Sequence, residues 1–329
     1  MKSKINKVII QCLEKINRNK YLSLTSREVC ASQINAAPDI TIFDKKGAIV
    51  MQGPIIEKDQ FTLETLKIYR KRFPEMILIL STWENYSSDI LRNYRDIGVK
   101  VIENKKPAYF GISNINLQIE SAKNGIKVAH SSGAEYCLKT RTDQRIYRHD
   151  FILFFLSLIR SFPIDNSLKP KSRIISISLN TYKYRLYGVT DMLNFGHIDD
   201  MLLYWTPEFD SRHLEEMDIG DSVEAWGRAR LCEVYLSTEY LQKQGHTLDY
   251  TLKDSWNVFS EYFCIVDTSA IDLFWFKYNR WNENSRYNNE YRALDEEFTF
   301  SDWINANNNL SLYKSSDEQL LYKKNMSKY

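Results

Sequence analysis

Short apolar runs alternate with segments of helical periodicity from residue 47 to about residue 205. Ala48–Ile55 (AIVMQGPI) reads as a short buried strand that Gly53-Pro54 ends in a turn. Phe61–Phe73 places Phe61, Leu63, Leu66, Ile68 and Tyr69 at helical positions, and Pro74 stops it. Met76–Trp83 (MILILSTW) is continuously apolar, the pattern of a strand covered on both faces. Ser87 or Ser88 caps a helix to Ile97, closed by Gly98. Val99–Glu103 is a third strand, and Asn114–Asn124 a third helix with Gly125 as its stop. Glu135–Ile146 (EYCLKTRTDQRI) follows as the fourth strand. Three strand–helix repeats predict an α/β fold with a mostly parallel sheet and helices on both faces. Such sheets bind ligands at the C-terminal strand ends. That edge carries Gln52-Gly53-Pro54, Ser81-Thr82-Trp83, Asn104 and Arg141-Thr142-Asp143-Gln144.

Outside this block the pattern is looser. Phe151–Phe162 reads as a buried helix, Arg173–Asn180 as a fifth strand, and 181–194 as a Tyr- and Arg-rich loop with Tyr182, Tyr184, Arg185 and Tyr187 available to line a cleft. Asp199-Asp200 open a short helix, residues 206–228 are acidic and irregular, and Ala229–Gln244 is a helix stopped by Gly245. The remainder predicts no order. At the other end, Ile5, Val8, Ile9, Cys12, Leu13 and Ile16 form one stripe in a segment (2–20) with six Lys/Arg and one Glu. Such a helix either packs its stripe on the main domain or meets an anionic membrane surface. Residues 21–46 read as an irregular extension. The expected organisation is 1–46 as N-terminal helix and extension, 47–205 as the α/β domain, and 206–329 as a helical region packed on it.

Composition narrows the function classes. With 44 basic and 42 acidic residues the net charge is +2, so no global basic field points to nucleic acid. The five cysteines are widely spaced, form no CxxC pair, and suggest neither a disulfide framework nor a zinc site. No secretory signal opens the chain, and no apolar run approaches the ~20 residues that cross a bilayer. A cytoplasmic protein, at most peripheral at the inner membrane, is the expectation. Neither GxGxxG nor GxxxxGK[ST] occurs, which argues against a dinucleotide fingerprint or a P-loop.

Candidate chemistry concentrates in Glu135–Ile146. Cys137, Lys139, Arg141 and Asp143 share one strand parity, so a carboxylate lies in line with two cations, with Arg145 beyond it. The succession QGPI, STW, Asn114–Asn116–Gln118, LKTRTDQRI and DMLNFGHIDDMLLYW resembles the WavE family of lipopolysaccharide-synthesis proteins over about 48–205. The resemblance implies a GT-A-like (nucleotide-diphospho-sugar transferase) domain with helical N- and C-terminal additions. It also implies transfer of a sugar from a nucleotide-activated donor to a lipopolysaccharide or capsular glycan, the activity of an EC 2.4 enzyme. By that likeness Asp143 stands where a DxD motif would hold Mg²⁺ or Mn²⁺, and Lys139, Arg141 and Arg145 stand beside the leaving diphosphate. A single Asp in place of DxD leaves metal dependence open. Gln52, Gly53, Pro54, Thr82 and Trp83 fall where a GT-A domain meets base and ribose. Asn116 and Gln118 lie two apart on one helix, so at most one meets the donor.

An acceptor hydroxyl needs a proton acceptor. Asp191, in the Tyr-rich loop, and Glu233, amid Leu231, Cys232, Val234 and Leu236, lack an obvious structural role and rank ahead of His197, Asp199 and Asp200. Two alternatives stand beside this reading: a nucleotidyltransferase, and a non-catalytic glycan- or nucleotide-binding assembly partner. Donor sugar, acceptor, stereochemistry and oligomeric state are not encoded in these patterns.

Overall fold

The computed structural model describes residues 2–16, 27–34, 46–213, 222–279 and 296–308. The sheet is built on a buried strand, β1 (Gly47–Gln52), none of whose residues is exposed. With β2 (Ile77–Trp83), β3 (Lys100–Asn104), β4 (Tyr136–Arg141), β6 (Ile174–Ile177), β7 (Asn194–His197) and β8 (Phe263–Val266), it forms a seven-stranded sheet ordered β3-β2-β1-β4-β7-β6-β8. β1 through β4 run parallel, β7 lies antiparallel between β4 and β6, and β6 and β8 are parallel. A second, two-stranded sheet pairs β5 (Gln144–Ile146) with β9 (Leu273–Trp275). The mostly parallel sheet with flanking helices is as the alternation predicted.

Both faces are covered. On one lie α4 (Ile115–Ser131), α6 (Ile198–Tyr204) and α8 (Cys232–Gln244), in mutual contact. On the other, α2 (Phe61–Arg72) meets α5 (Phe151–Ser161) through Tyr69 and Phe73 against Phe151, and Phe155 of α5 packs on Phe195 of β7. Side-chain alternation assigns the faces: Val50 and its register partner Lys139 point to the α4 side, Phe195 to the α5 side.

Several expectations change. Gly125 does not stop α4, which runs on to Ser131. A Cβ there would stand 2.4 Å from Val50 Cγ1, so the glycine lets the helix lie close on β1. β7 was not predicted, and only its first residue falls in the expected 181–194 loop; four residues with an internal glycine carry no periodic signal. The expected helix from Ala229 is broken at Leu231 into α7 (Val223–Arg230) and α8, and Gly245, at φ +88°, ends α8 as predicted. His197, not Asp199, caps α6: its Nδ1 accepts from the Asp199 N–H at 3.2 Å. Residues 206–329, expected to be helical, also supply β8 to the main sheet and β9 to the small one. They contain α9 (Leu252–Glu261), α10 (Phe276–Asn279) and α11 (Phe300–Asn307) as well. Parts of the extension at 21–46 and of the 206–228 and C-terminal stretches lie outside the described residues.

The N-terminal segment is helical, α1 (Lys2–Ile16). Of its stripe, Val8, Ile9 and Ile16 are 57%, 46% and 76% exposed.

Candidate active site

Lys139 and Arg141 project from the last turns of β4 toward α4, as their shared parity requires. Lys139 is fully buried, donates to the backbone carbonyl of Asp191, and lies 4.1 Å over the Trp205 ring. Burial pushes its pKa down to about 7, against the pull of the Asp191 carboxylate. Arg141 forms a two-pronged pair with Asp143, at 2.9 and 3.0 Å. Burial opposes that guanidinium's charge, but Asp143 outweighs it and the pKa is raised.

Asp143 is more fully engaged than an open metal ligand would be. One oxygen meets Arg141 Nε, and the other accepts from both Arg141 Nη2 and the Trp275 indole N–H at 2.9 Å. Burial raises its pKa, but these partners outweigh that and hold it below the ordinary value. β9 brings the indole in, pairing Trp275 with Gln144.

The Gln52 turn is tied to the same place. Gln52 Oε1 accepts from Ser121 Oγ (2.7 Å) of α4, and the Gln52 carbonyl accepts from Thr142 N–H (3.1 Å). Thr142 Oγ1 donates to the Pro54 carbonyl (2.6 Å), and Gly53 sits at φ +122° with room for no more than 3.0 Å between a Cβ and that hydroxyl. The two loops at the ends of β1 and β4 are thus one rigid unit.

Beside it lies a buried cluster drawn from separate regions of the chain. Ligand atoms of Asp191, Cys232 and Glu233 all lie within 4.8 Å of one another. The Cys232 thiol donates to Glu233 Oε2 (3.3 Å) and to Asp191 Oδ2 (3.6 Å), and Gln118 Nε2 is 3.9 Å from the sulfur. The break at Leu231 starts α8 at Cys232 and turns this first turn inward. Burial, then the Asp191 charge, raise the Glu233 pKa, with Arg185 opposing; burial and both carboxylates raise the thiol's well above normal. No ion pair reaches either carboxylate among the described residues, while the amide oxygen of Gln118 is buried without a hydrogen bond. Two carboxylates that share a thiol proton and little else form a site able to take a proton or a cation.

Other candidates lie elsewhere. Arg145 is separated from the cluster: beyond the turn the alternation restarts, and its guanidinium is spent on Thr65 Oγ1 (2.9 Å) and on the carbonyls of Phe61, Val29 and Glu28. It is a structural arginine. Asn116 bonds both backbone groups of Asp210 (2.7 and 2.9 Å) and latches that loop, so of the pair only Gln118 faces the site. Thr82 points to the opposite sheet face from Ser81, its hydroxyl buried and unbonded, while Trp83 is buried at the end of β2. Asp199 pairs with Lys171, and Asp200 accepts from the Lys171 and Ser172 N–H groups, which makes both structural. Sequence reasoning passed over Cys232, Trp275 and Ser121. Cys232 had one available signal, its position directly before a glutamate in an apolar setting.

The class this geometry defines is an open α/β sheet with a polar site at the C-terminal ends of its central parallel strands. The family model described as WavE lipopolysaccharide synthesis matches residues 48–328, and the chain belongs to that family. No curated protein matches it. Among solved structures it is similar to 4-diphosphocytidyl-2C-methyl-D-erythritol synthase from Anaerococcus prevotii DSM 20548: 10% identity, 81% of this chain, 98% of that one, TM-score 0.39. It is also similar to a CMP:2-keto-3-deoxy-manno-octonic acid synthetase complexed with CTP: 11% identity, 61% and 86% covered, TM-score 0.34.

Proposed function

We propose that this protein transfers a sugar from a nucleotide-activated donor to a lipopolysaccharide or related surface-glycan acceptor. The observation that carries the reading is the convergence of the Gln52 turn, the Arg141–Asp143 pair and the Asp191–Cys232–Glu233 cluster at one sheet edge. Family membership supplies the glycan. The Gln52–Gly53 turn, at the C-terminal end of β1, is suited to base and ribose, because Gly53 turns the chain at φ +122° without a side chain in the way. Arg141, held rigid by Asp143 and Trp275, offers planar charge to the departing diphosphate. Glu233 is the base, because its raised pKa moves a carboxylate toward the value at which it takes a hydroxyl proton effectively. Asp191 holds that pKa up by its charge.

The GT-A resemblance also implies a divalent ion. Asp143 does not fit it, since both its oxygens are bonded. Asp191 and Cys232 fit it by spacing. They would hold the ion, which would neutralise charge on the leaving diphosphate, and Glu233 would stay unligated as the base.

The test is a thermal-shift screen of the full chain against UDP, GDP, CMP and TDP, each with and without Mn²⁺, followed by nucleotide-sugar hydrolysis. One nucleotide should stabilise the protein, with slow hydrolysis that Glu233→Gln reduces by ~10²-fold or more. Stabilisation without turnover in the presence of acceptor would identify a binding partner instead of an enzyme. No stabilisation by any nucleotide would remove the reading altogether.

A further inference from the structure

Exposed apolar surface is concentrated on α1. Of the eight large hydrophobic side chains exposed among the described residues, Val8, Ile9, Leu13 and Ile16 are on this one helix. They lie along a single stripe with Cys12, which is also exposed. Charge is concentrated in the same place. The first 20 residues hold six cations (Lys2, Lys4, Lys7, Lys15, Arg18, Lys20) against Glu14, a net of +5. With the whole chain at +2, the other 309 residues carry −3. A helix with an apolar stripe, a cationic remainder and a body of opposite sign has separated its two binding signals from everything else in the molecule.

We propose that α1 docks the protein on an anionic lipid bilayer. The helix lies in the plane of the interface, with Val8, Ile9 and Ile16 among the upper acyl carbons and its lysines among the headgroup phosphates. Neither signal suffices alone. Four aliphatic side chains give weak partitioning, and each cation near an anionic leaflet strengthens it about fivefold. A second copy of the chain is the less favourable occupant, because pairing two such helices sets +3 (Lys2, Lys4, Lys7 and Lys15 against Glu14) against +3. No described helix is long and apolar enough to cross a membrane, so attachment through α1 is peripheral. This deepens the sugar-transfer reading, on which it rests for its purpose: it names the surface at which a lipid-linked acceptor would be met.

The experiment is co-sedimentation of the full chain, without nucleotide or acceptor, with vesicles containing phosphatidylglycerol and with pure phosphatidylcholine vesicles. Pelleting with the first and not the second, and release by high salt, is the expected result. Lys4→Glu/Lys7→Glu should weaken binding more than tenfold, and Ile9→Glu/Ile16→Glu should abolish it with an unchanged thermal midpoint. An environment-sensitive dye on Cys12, in a Cys30→Ser background, should shift to the blue on the anionic vesicles alone. Equal binding to both vesicle types, binding that survives Ile9→Glu/Ile16→Glu, a dye already shielded in the free protein, or concentration-dependent dimers with no vesicle binding would each overturn the proposal. Vesicle binding needs no nucleotide, so its failure leaves the nucleotide screen intact, and failure of that screen leaves vesicle binding intact.

Discussion

Lys139 shows how much a single burial decides. A lysine inside a sheet loses its hydration, and here it recovers one carbonyl and the face of Trp205. Its folded pKa, near 7, is below the unfolded value of about 10.4, so between those values the unfolded chain binds more protons. Stability from this residue therefore rises with pH from about 7 to about 10. Denaturant titrations at pH 7 and pH 9.5 should show wild type gaining on Lys139→Met by a few kcal/mol; a constant difference would mean the amine is already well solvated or paired. The two arginines of the same stretch make a contrast. Arg141→Lys keeps a cation but loses the two-pronged geometry, and should weaken nucleotide binding about tenfold. Arg145→Met should leave nucleotide affinity per folded molecule unchanged while costing ~3 kcal/mol, since it strips five hydrogen bonds, four of which tie 28–29 and α2 to β5.

At the scale of elements, close approach matters more than propensity. Alanine at position 125 would gain ~1 kcal/mol of helix propensity on an isolated helix. In the fold its Cβ collides with Val50, and the net expectation is a loss of ~1–3 kcal/mol. Gly125→Ala/Val50→Ala should recover much of it, which a double-mutant cycle measures; an absence of coupling would show that α4 simply shifts. The strands β1 to β4 and helices α2, α4 and α5 were legible because each is long enough to show its period. β7 was not, with four residues and a glycine, although it closes the sheet between β4 and β6 and begins three residues after Asp191. The candidate carboxylates Asp191 and Glu233 were legible only by elimination, as acids without an evident structural task. Their meeting with Cys232 was not, since it depends on how the 181–193 loop seats against the start of α8.

The molecule as a whole divides into a covered sheet and α1, on which Val8, Ile9 and Ile16 are exposed. Deleting residues 1–20 should therefore leave the thermal midpoint within about 2 °C of wild type. A larger fall would place α1's stripe in the core after all. Chain order and periodicity determined the parallel sheet, the polar edge at its strand ends and the parity that aligns Lys139 with Arg141, because each follows from local backbone sterics. Only the folded molecule decided that Trp275, 132 residues on, caps Asp143, and that Arg145 serves the scaffold. It also decided that Asp191 and Glu233 share one buried thiol. Those outcomes depend on which distant segments pack together, and packing is a property of the whole chain that no local pattern carries.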